Sequence, residues 1–153
     1  MNIKQPVLWA ALSLATGTVA GFLQQPALRE WYPFLVKSPL TPPGPVFFVV
    51  WIFLYILMGV SIGLVRQAQH PDSSRLTGLF LLQLVTNFLW TITFFTLRCP
   101  SGGMILIVLL FLLVTTYAVL SRKVRPVASL LFIPYVVWVA FASYLNWYIW
   151  INN

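Results

Sequence analysis

Two carboxylates, one histidine and one cysteine make up the conventional acid–base, nucleophilic and metal-binding repertoire of this 153-residue chain. Glu30 and Asp72 fall in separate polar gaps, which the topology below puts on opposite sides of a membrane. They therefore cannot form a carboxylate pair for general acid–base or hydrolytic work. His70 stands beside Pro71 in a polar stretch, the setting of an exposed loop residue. Cys99 has no partner for an internal disulfide. No Cys/His cluster has metal-ligand spacing, no Ser/His/Asp set is available, and no glycine loop could cradle a phosphate. No metal or cofactor is implied. The chemistry on offer is aromatic instead. Trp31 and Tyr32 are adjacent, Trp51 and Tyr55 are four apart, as are Trp90 and Phe94, and Trp138 lies far downstream. Residues four apart share a helical face. Indole faces converging on one cavity would suit a large, planar, conjugated ligand through stacking and burial. The same residues could equally pack a helix bundle or anchor it at bilayer interfaces. Residue types alone leave both readings open.

The elements that must position these side chains follow from composition. The chain is 60% hydrophobic and 7% charged, against about 25% charged in soluble domains, so lipid is its expected solvent. A helix crosses the hydrocarbon core with about 20 apolar residues. Five runs qualify: 7–23, 46–65, 76–97, 103–120 and 127–150. None alternates in polarity as the strands of a membrane barrel would. The expected fold is an all-α bundle of five transmembrane helices, one membrane domain over residues 1–153, with the first run a retained helix and not a cleaved signal. The net charge of +7 resides in the gaps between apolar runs, the membrane pattern, and no basic stripe suggests nucleic acid. Lys4, Arg66, Arg75, Arg122, Lys123 and Arg125 would share one side; Arg29, Lys37 and Arg98 would share the other. That asymmetry predicts a cytoplasmic N-terminus in a bacterial cell membrane, with the long first loop facing away.

Several faces stand out. Pro33, Pro39, Pro42, Pro43 and Pro45 prevent a regular helix over 31–44 and give a stiff loop placed like a lid. Ser13, Gly17 and Gly21 in helix 1, with Gly59 and Gly63 in helix 2, allow close helix approach, within the monomer or along a dimer seam. Gln83, Asn87, Trp90 and Phe94 line one side of helix 3, and the two amides require that side to face the bundle or a cavity. Helix 4, rich in Leu, Val and Ile, is expected to face mostly lipid. Pro126 suits the first turn of helix 5, Pro134 should kink it, and Tyr135, Trp138, Ala142, Leu145, Asn146 and Ile149 follow helical spacing beyond. No helix carries an ionisable Asp, Glu, Lys, Arg or His at mid-span, which argues against proton-coupled transport.

These residues carry a family resemblance. Trp31-Tyr32, the loop KSPLTPPGP with VW and LYxxMG behind it, Asn87, and PYVVWVAFASYLN in helix 5 resemble the TspO/MBR family of tryptophan-rich sensory proteins and mitochondrial translocator proteins, along essentially the whole chain. The resemblance implies a five-helix bundle, usually a homodimer, with a pocket beneath the first loop. It implies binding of porphyrins such as protoporphyrin IX and of hydrophobic drug-like ligands, isoquinoline carboxamides and benzodiazepines among them. By matching position the pocket would include Tyr32, Trp51, Asn87, Trp138 and Ala142, with Tyr55, Trp90, Phe94, Ser143 and Leu145 as further wall residues. Light-dependent porphyrin breakdown is attributed to bacterial members, and would use Trp51 and Trp138 here. A third reading is a structural or regulatory membrane partner without cargo. Two departures stand out. The loop reads Lys37-Ser38-Pro39-Leu40 where the family often has a tryptophan, which changes the lid contact. The helix 5 cholesterol motif lacks its Tyr–basic pair, with Trp147 and Ile151 in those places, which argues against tight cholesterol binding. Porphyrin propionates are expected to lie toward Arg29 or Lys37, the basic residues of the lid.

Overall fold

A computed structural model describes residues 3–153. Five helices, each long and apolar enough to cross a membrane, follow one another. They are α1 (Lys4–Glu30), α2 (Gly44–Gln67), α3 (Ser73–Thr91, continued as a π-helical turn over Ile92–Thr96), α4 (Pro100–Val124) and α5 (Pro126–Asn152). A short 3₁₀ turn, Tyr32–Phe34, follows α1. Every apolar run read from the sequence forms the body of one of these helices, and the helices run on beyond the runs except at the end of the third, where the helix stops at Thr96, one residue short. The largest extension is in α1. Gln24 to Glu30, read as the start of the loop, continues the helix straight through Pro26. At 27 residues α1 is about 40 Å long, well past the hydrocarbon core. Pro100 and Pro126 each open a helix at its first turn, where a missing N–H costs no internal bond.

α1 lies principally on α2, α4 on α5 and α3, and α2 also on α5. The α1–α2 seam is made by small residues. A Cβ at Gly59 would collide with the backbone of Ala10, and one at Gly63 with the backbone of Pro6. At Gly17 it would strike the Tyr55 ring. The small-residue faces at Gly59, Gly63 and Gly17 are thus engaged inside one chain. Gly21 is the exception, with nothing within 4 Å of a Cβ built there.

α4 is not the most lipid-exposed helix. Its Ile107, Leu110, Val114, Tyr117 and Ser121 form a buried stripe against α5 and α3, and α1 is the least buried of the five. α1 packs chiefly on one neighbour, so most of its circumference is left for lipid. At the end of the bundle away from the long loop, Ser61 Oγ donates to Ala128 O at 2.7 Å and pairs with Tyr117 OH at 3.1 Å. Ser129 Oγ donates to Ala118 O at 2.6 Å. With no water in the hydrocarbon to satisfy them, such hydroxyls must find partners on neighbouring helices.

Candidate ligand cavity beneath the first loop

The lid is built from its own carbonyls. Lys37 Nζ donates to the carbonyls of Tyr32, Pro33 and Leu35 at 2.9, 3.2 and 3.1 Å, and lies 5.1 Å from the centre of the Tyr32 ring. All three ammonium donors are therefore used in closing the turn after α1, a cation–π contact adding to them. The loop is then fastened to the far end of α5. Ser38 Oγ pairs with Tyr144 OH at 2.9 Å, Asn153 Oδ1 accepts from Val36 N at 2.9 Å, and Asn153 Nδ2 donates to Val36 O at 3.1 Å. Glu30, ending α1, meets Arg98 at 3.1 Å on the same side of the bundle. Both of those groups are exposed, so the pair contributes little to stability.

Under this loop lies a cavity of about 330 Å³, bounded by α1, α2 and α3. Its walls include Gly17, Gly21, Gln24 and Leu28 from α1, Tyr32 and Pro42 from the loop, Phe47, Trp51 and Tyr55 from α2, and Asn87, Trp90, Thr91 and Phe95 from α3. The volume is at the low end for small-molecule sites, and the lining has their usual character, mostly apolar and aromatic with a few polar atoms. No Asp, Glu, Lys, Arg or His lines it. Burial pushes the Tyr32 phenol above its ordinary value, so it remains a neutral hydroxyl at physiological pH. The wall is therefore uncharged and largely aromatic.

The aromatic groups touch in series. Trp51 is the hub, with ring centroids 5.7 Å from Tyr55, 6.3 Å from Trp90, 6.2 Å from Tyr135 and 6.4 Å from Trp138. Trp90 is held by a hydrogen bond from its Nε1 to Asn146 Oδ1 at 3.0 Å, and Asn146 Nδ2 donates on to Pro100 O at 2.8 Å. Both buried amides of α3 are also engaged. Asn87 Nδ2 donates to Tyr135 OH at 2.8 Å, and Tyr135 OH donates to Gln83 Oε1 at 3.0 Å.

The residues expected from the sequence divide into two groups. Tyr32, Trp51, Tyr55, Asn87 and Trp90 line the cavity together. Trp138 stands behind the wall on α5, edge-on to Trp51 and 5.4 Å from Phe47. Phe94, Ala142 and Leu145 are buried in the bundle, and Ser143 Oγ donates to Val139 O at 2.7 Å; none of these lines the cavity. The π-helical turn explains the α3 shift. Leu97 N reaches back to Ile92 O, so the turn takes up an additional residue. Phe94 is left stacked on Trp90 while its neighbour Phe95 takes the cavity position. Of the two basic lid residues, Lys37 is tied to its carbonyls, and Arg29 is exposed on the last turn of α1.

The α1 wall was missed by sequence reasoning. Its signal was the stripe Gly17, Gly21, Gln24 and Leu28 at steps of four, three and four. It was hidden because Gln24, Gln25 and Pro26 look like loop.

Comparison with known proteins agrees with this architecture. The sequence profile described as TspO/MBR family matches residues 9–151. The chain is 35% identical to the tryptophan-rich protein TspO of Archaeoglobus fulgidus, covering 100% of this chain and 99% of that one. It is 39% identical to protein CrtK of Rhodobacter capsulatus over 80% and 78%. It is 31% identical to the translocator protein of Ovis aries over 87% and 83%. With five membrane-crossing helices and a profile match over nearly its whole length, this chain is an integral membrane protein that belongs to the TspO/MBR family.

Proposed function

We propose that this protein is a membrane receptor or transporter-like protein that binds porphyrins, protoporphyrin IX among them, and smaller planar hydrophobic ligands in the cavity beneath the first loop. The observation that carries the reading is the wall itself. Trp51, Tyr55, Trp90 and Phe95 supply ring surface around an uncharged space, and they are roofed by a loop latched at Ser38 and Val36. A tetrapyrrole with its side groups is larger than this partly open space of about 330 Å³, so its ring system would extend past the wall. With Lys37 held by three carbonyls, Arg29, exposed on the last turn of α1, is the lid cation left for a propionate.

The arrangement also favours a second reading, light-dependent porphyrin breakdown. The Trp51 and Trp138 rings are adjacent and nearly perpendicular, so an indole oxidised beside an excited pigment has a second indole in contact. Light and oxygen would supply the reactivity, since the cavity wall holds no acid–base pair. One titration separates the readings. Protoporphyrin IX mixed with purified protein should show shifted absorption bands in the dark. Bands that then decay under light faster than in detergent alone, and only while Trp51 and Trp138 are intact, would favour breakdown over carriage; Trp51→Phe and Trp138→Phe are the comparison. An unshifted dark spectrum would count against porphyrin as ligand.

We read the orientation as N-terminus cytoplasmic in a bacterial cell membrane, from the six basic residues at the Arg66–Arg75 end against three at the lid end. The lone cysteine tests it directly. Cys99 is partly exposed at the lid end, and the Ser101 hydroxyl, then the Gly102 N–H, hold its thiol below the usual value, which raises its thiolate fraction. A membrane-impermeant maleimide should label Cys99 in intact cells. Labelling only after permeabilisation would invert the topology.

A further inference from the structure

The cavity has one polar atom whose polarity is set from a distance. Asn87 is 1% exposed and lines the cavity, and its Oδ1 is buried without a hydrogen-bond partner. Tyr55 lines the same cavity, but it makes no hydrogen bond to that oxygen. A buried, unsatisfied acceptor is costly unless something fills it.

Which end of the Asn87 amide is left unpaired depends on a chain of fully buried groups that ends outside the cavity. Asn87 Nδ2 donates to Tyr135 OH, Tyr135 OH donates to Gln83 Oε1, and Gln83 Nε2 points at Met58 Sδ, 3.9 Å away. A thioether sulfur can only accept. Gln83 must therefore turn its NH₂ to Met58 and its oxygen to Tyr135. Tyr135 then has its proton committed to Gln83 and only lone pairs left for Asn87. Asn87 meets those lone pairs with its NH₂, and its oxygen is the atom left over. Reversing the relay would put the Gln83 oxygen against the sulfur, lone pair to lone pair.

We infer that Met58, through Gln83 and Tyr135, fixes Asn87 as a hydrogen-bond acceptor, so that the cavity selects planar aromatic ligands that present an N–H or O–H donor and discriminates against isosteres that offer only an acceptor. Asn87 is the contact residue; Gln83, Tyr135 and Met58 are positioning residues. The inference rests on the cavity being a ligand site, as proposed above, and goes further by naming the polarity of its ligand.

The test uses three tricyclic ligands of one shape: carbazole, with an N–H donor; dibenzofuran, with an oxygen acceptor; and fluorene, with neither. Affinities are measured on the purified full chain in detergent by quenching of tryptophan fluorescence, with fluorene correcting for size and partition into micelles. The parent protein should bind carbazole about tenfold more tightly than dibenzofuran, as one satisfied buried acceptor warrants. Met58→Leu conserves volume and lies outside the cavity wall, so it should fold. It should retain carbazole binding while the preference falls several-fold, because leucine no longer dictates which way Gln83 faces. Tyr135→Phe should have the same effect by cutting the relay in the middle. Equal binding of carbazole and dibenzofuran by the parent protein would leave the cavity a ligand site and overturn its polarity. A preference that survives both variants would overturn the role of the relay. Binding of none of the three would overturn the ligand reading itself.

Discussion

Gly59→Leu should prevent recovery of a folded, monodisperse protein. The Cβ of residue 59 would already meet the Ala10 backbone, and a backbone cannot rotate aside as a side chain can. Overpacking against mobile side chains costs about 1–3 kcal/mol. Here helices α1 and α2 must separate along their seam, so the loss should exceed that range. Gly63→Leu, which collides with Pro6 one turn away, should behave alike. Gly78→Leu is the control: residue 78 is exposed on α3 with nothing within 4 Å of a Cβ, and leaving glycine gains helix propensity. The measurement is detergent-solubilised yield and thermal unfolding followed by circular dichroism. A Gly59→Leu protein melting within a few degrees of the parent would mean that the two helices do not meet along this face.

The seam also shows how far a sequence can be read. The five crossings were legible because lipid imposes a length and a composition that loops cannot imitate. The inward face of α3 was legible for a related reason, since Gln83 and Asn87 have no tolerable place against lipid. Both are in fact almost wholly buried. The glycine spacing announced close approach but could not name the partner, because a small-residue face suits a neighbour in the same chain as well as one in a second copy.

The legible signals failed where a local rule was overruled by a tertiary contact. Gln24, Gln25 and Pro26 have the chemistry of a loop. In the bundle the two glutamines border a cavity and the backbone stays helical around the proline. The π turn at Ile92–Thr96 has no sequence mark among Ile, Thr and Phe residues, yet it decides whether Phe94 or Phe95 faces the cavity. The role expected for Lys37 rested on its charge alone, and the three carbonyls that hold it are visible only once the Tyr32–Phe34 turn is formed. The resemblance brought five residues that line the cavity and five that lie behind or beside it. Shared family positions identify a neighbourhood, and which side chains border the open space depends on the closed loop above them.

Gly21→Phe should leave the fold intact and close the cavity. Gly21 shares a helical face with Gly17, but the two have opposite surroundings: Gly17 lies against the Tyr55 ring, whereas a Cβ at 21 meets no atom within 4 Å and stands on the cavity wall. A benzyl group there would leave the backbone into open space and occupy much of a cavity of about 330 Å³. Thermal stability should hold or rise, since glycine inside a helix costs up to about 1 kcal/mol relative to other residues. Carbazole affinity should fall at least about a hundredfold, the equivalent of roughly 2.7 kcal/mol. Gly21→Ala, adding one methyl at the wall, should change affinity only slightly, so the series depends on volume and not on loss of glycine. The reading without cargo predicts otherwise: disruption of the small-residue faces abolishes activity, while substitutions elsewhere in the pocket leave it unchanged. A Gly21→Phe protein that melts like the parent and still binds carbazole with parental affinity would show that the ligand sits elsewhere on the bundle. Loss of binding at unchanged stability would tie ligand recognition to the α1 wall, whose part over residues 24–28 the sequence disguised as loop.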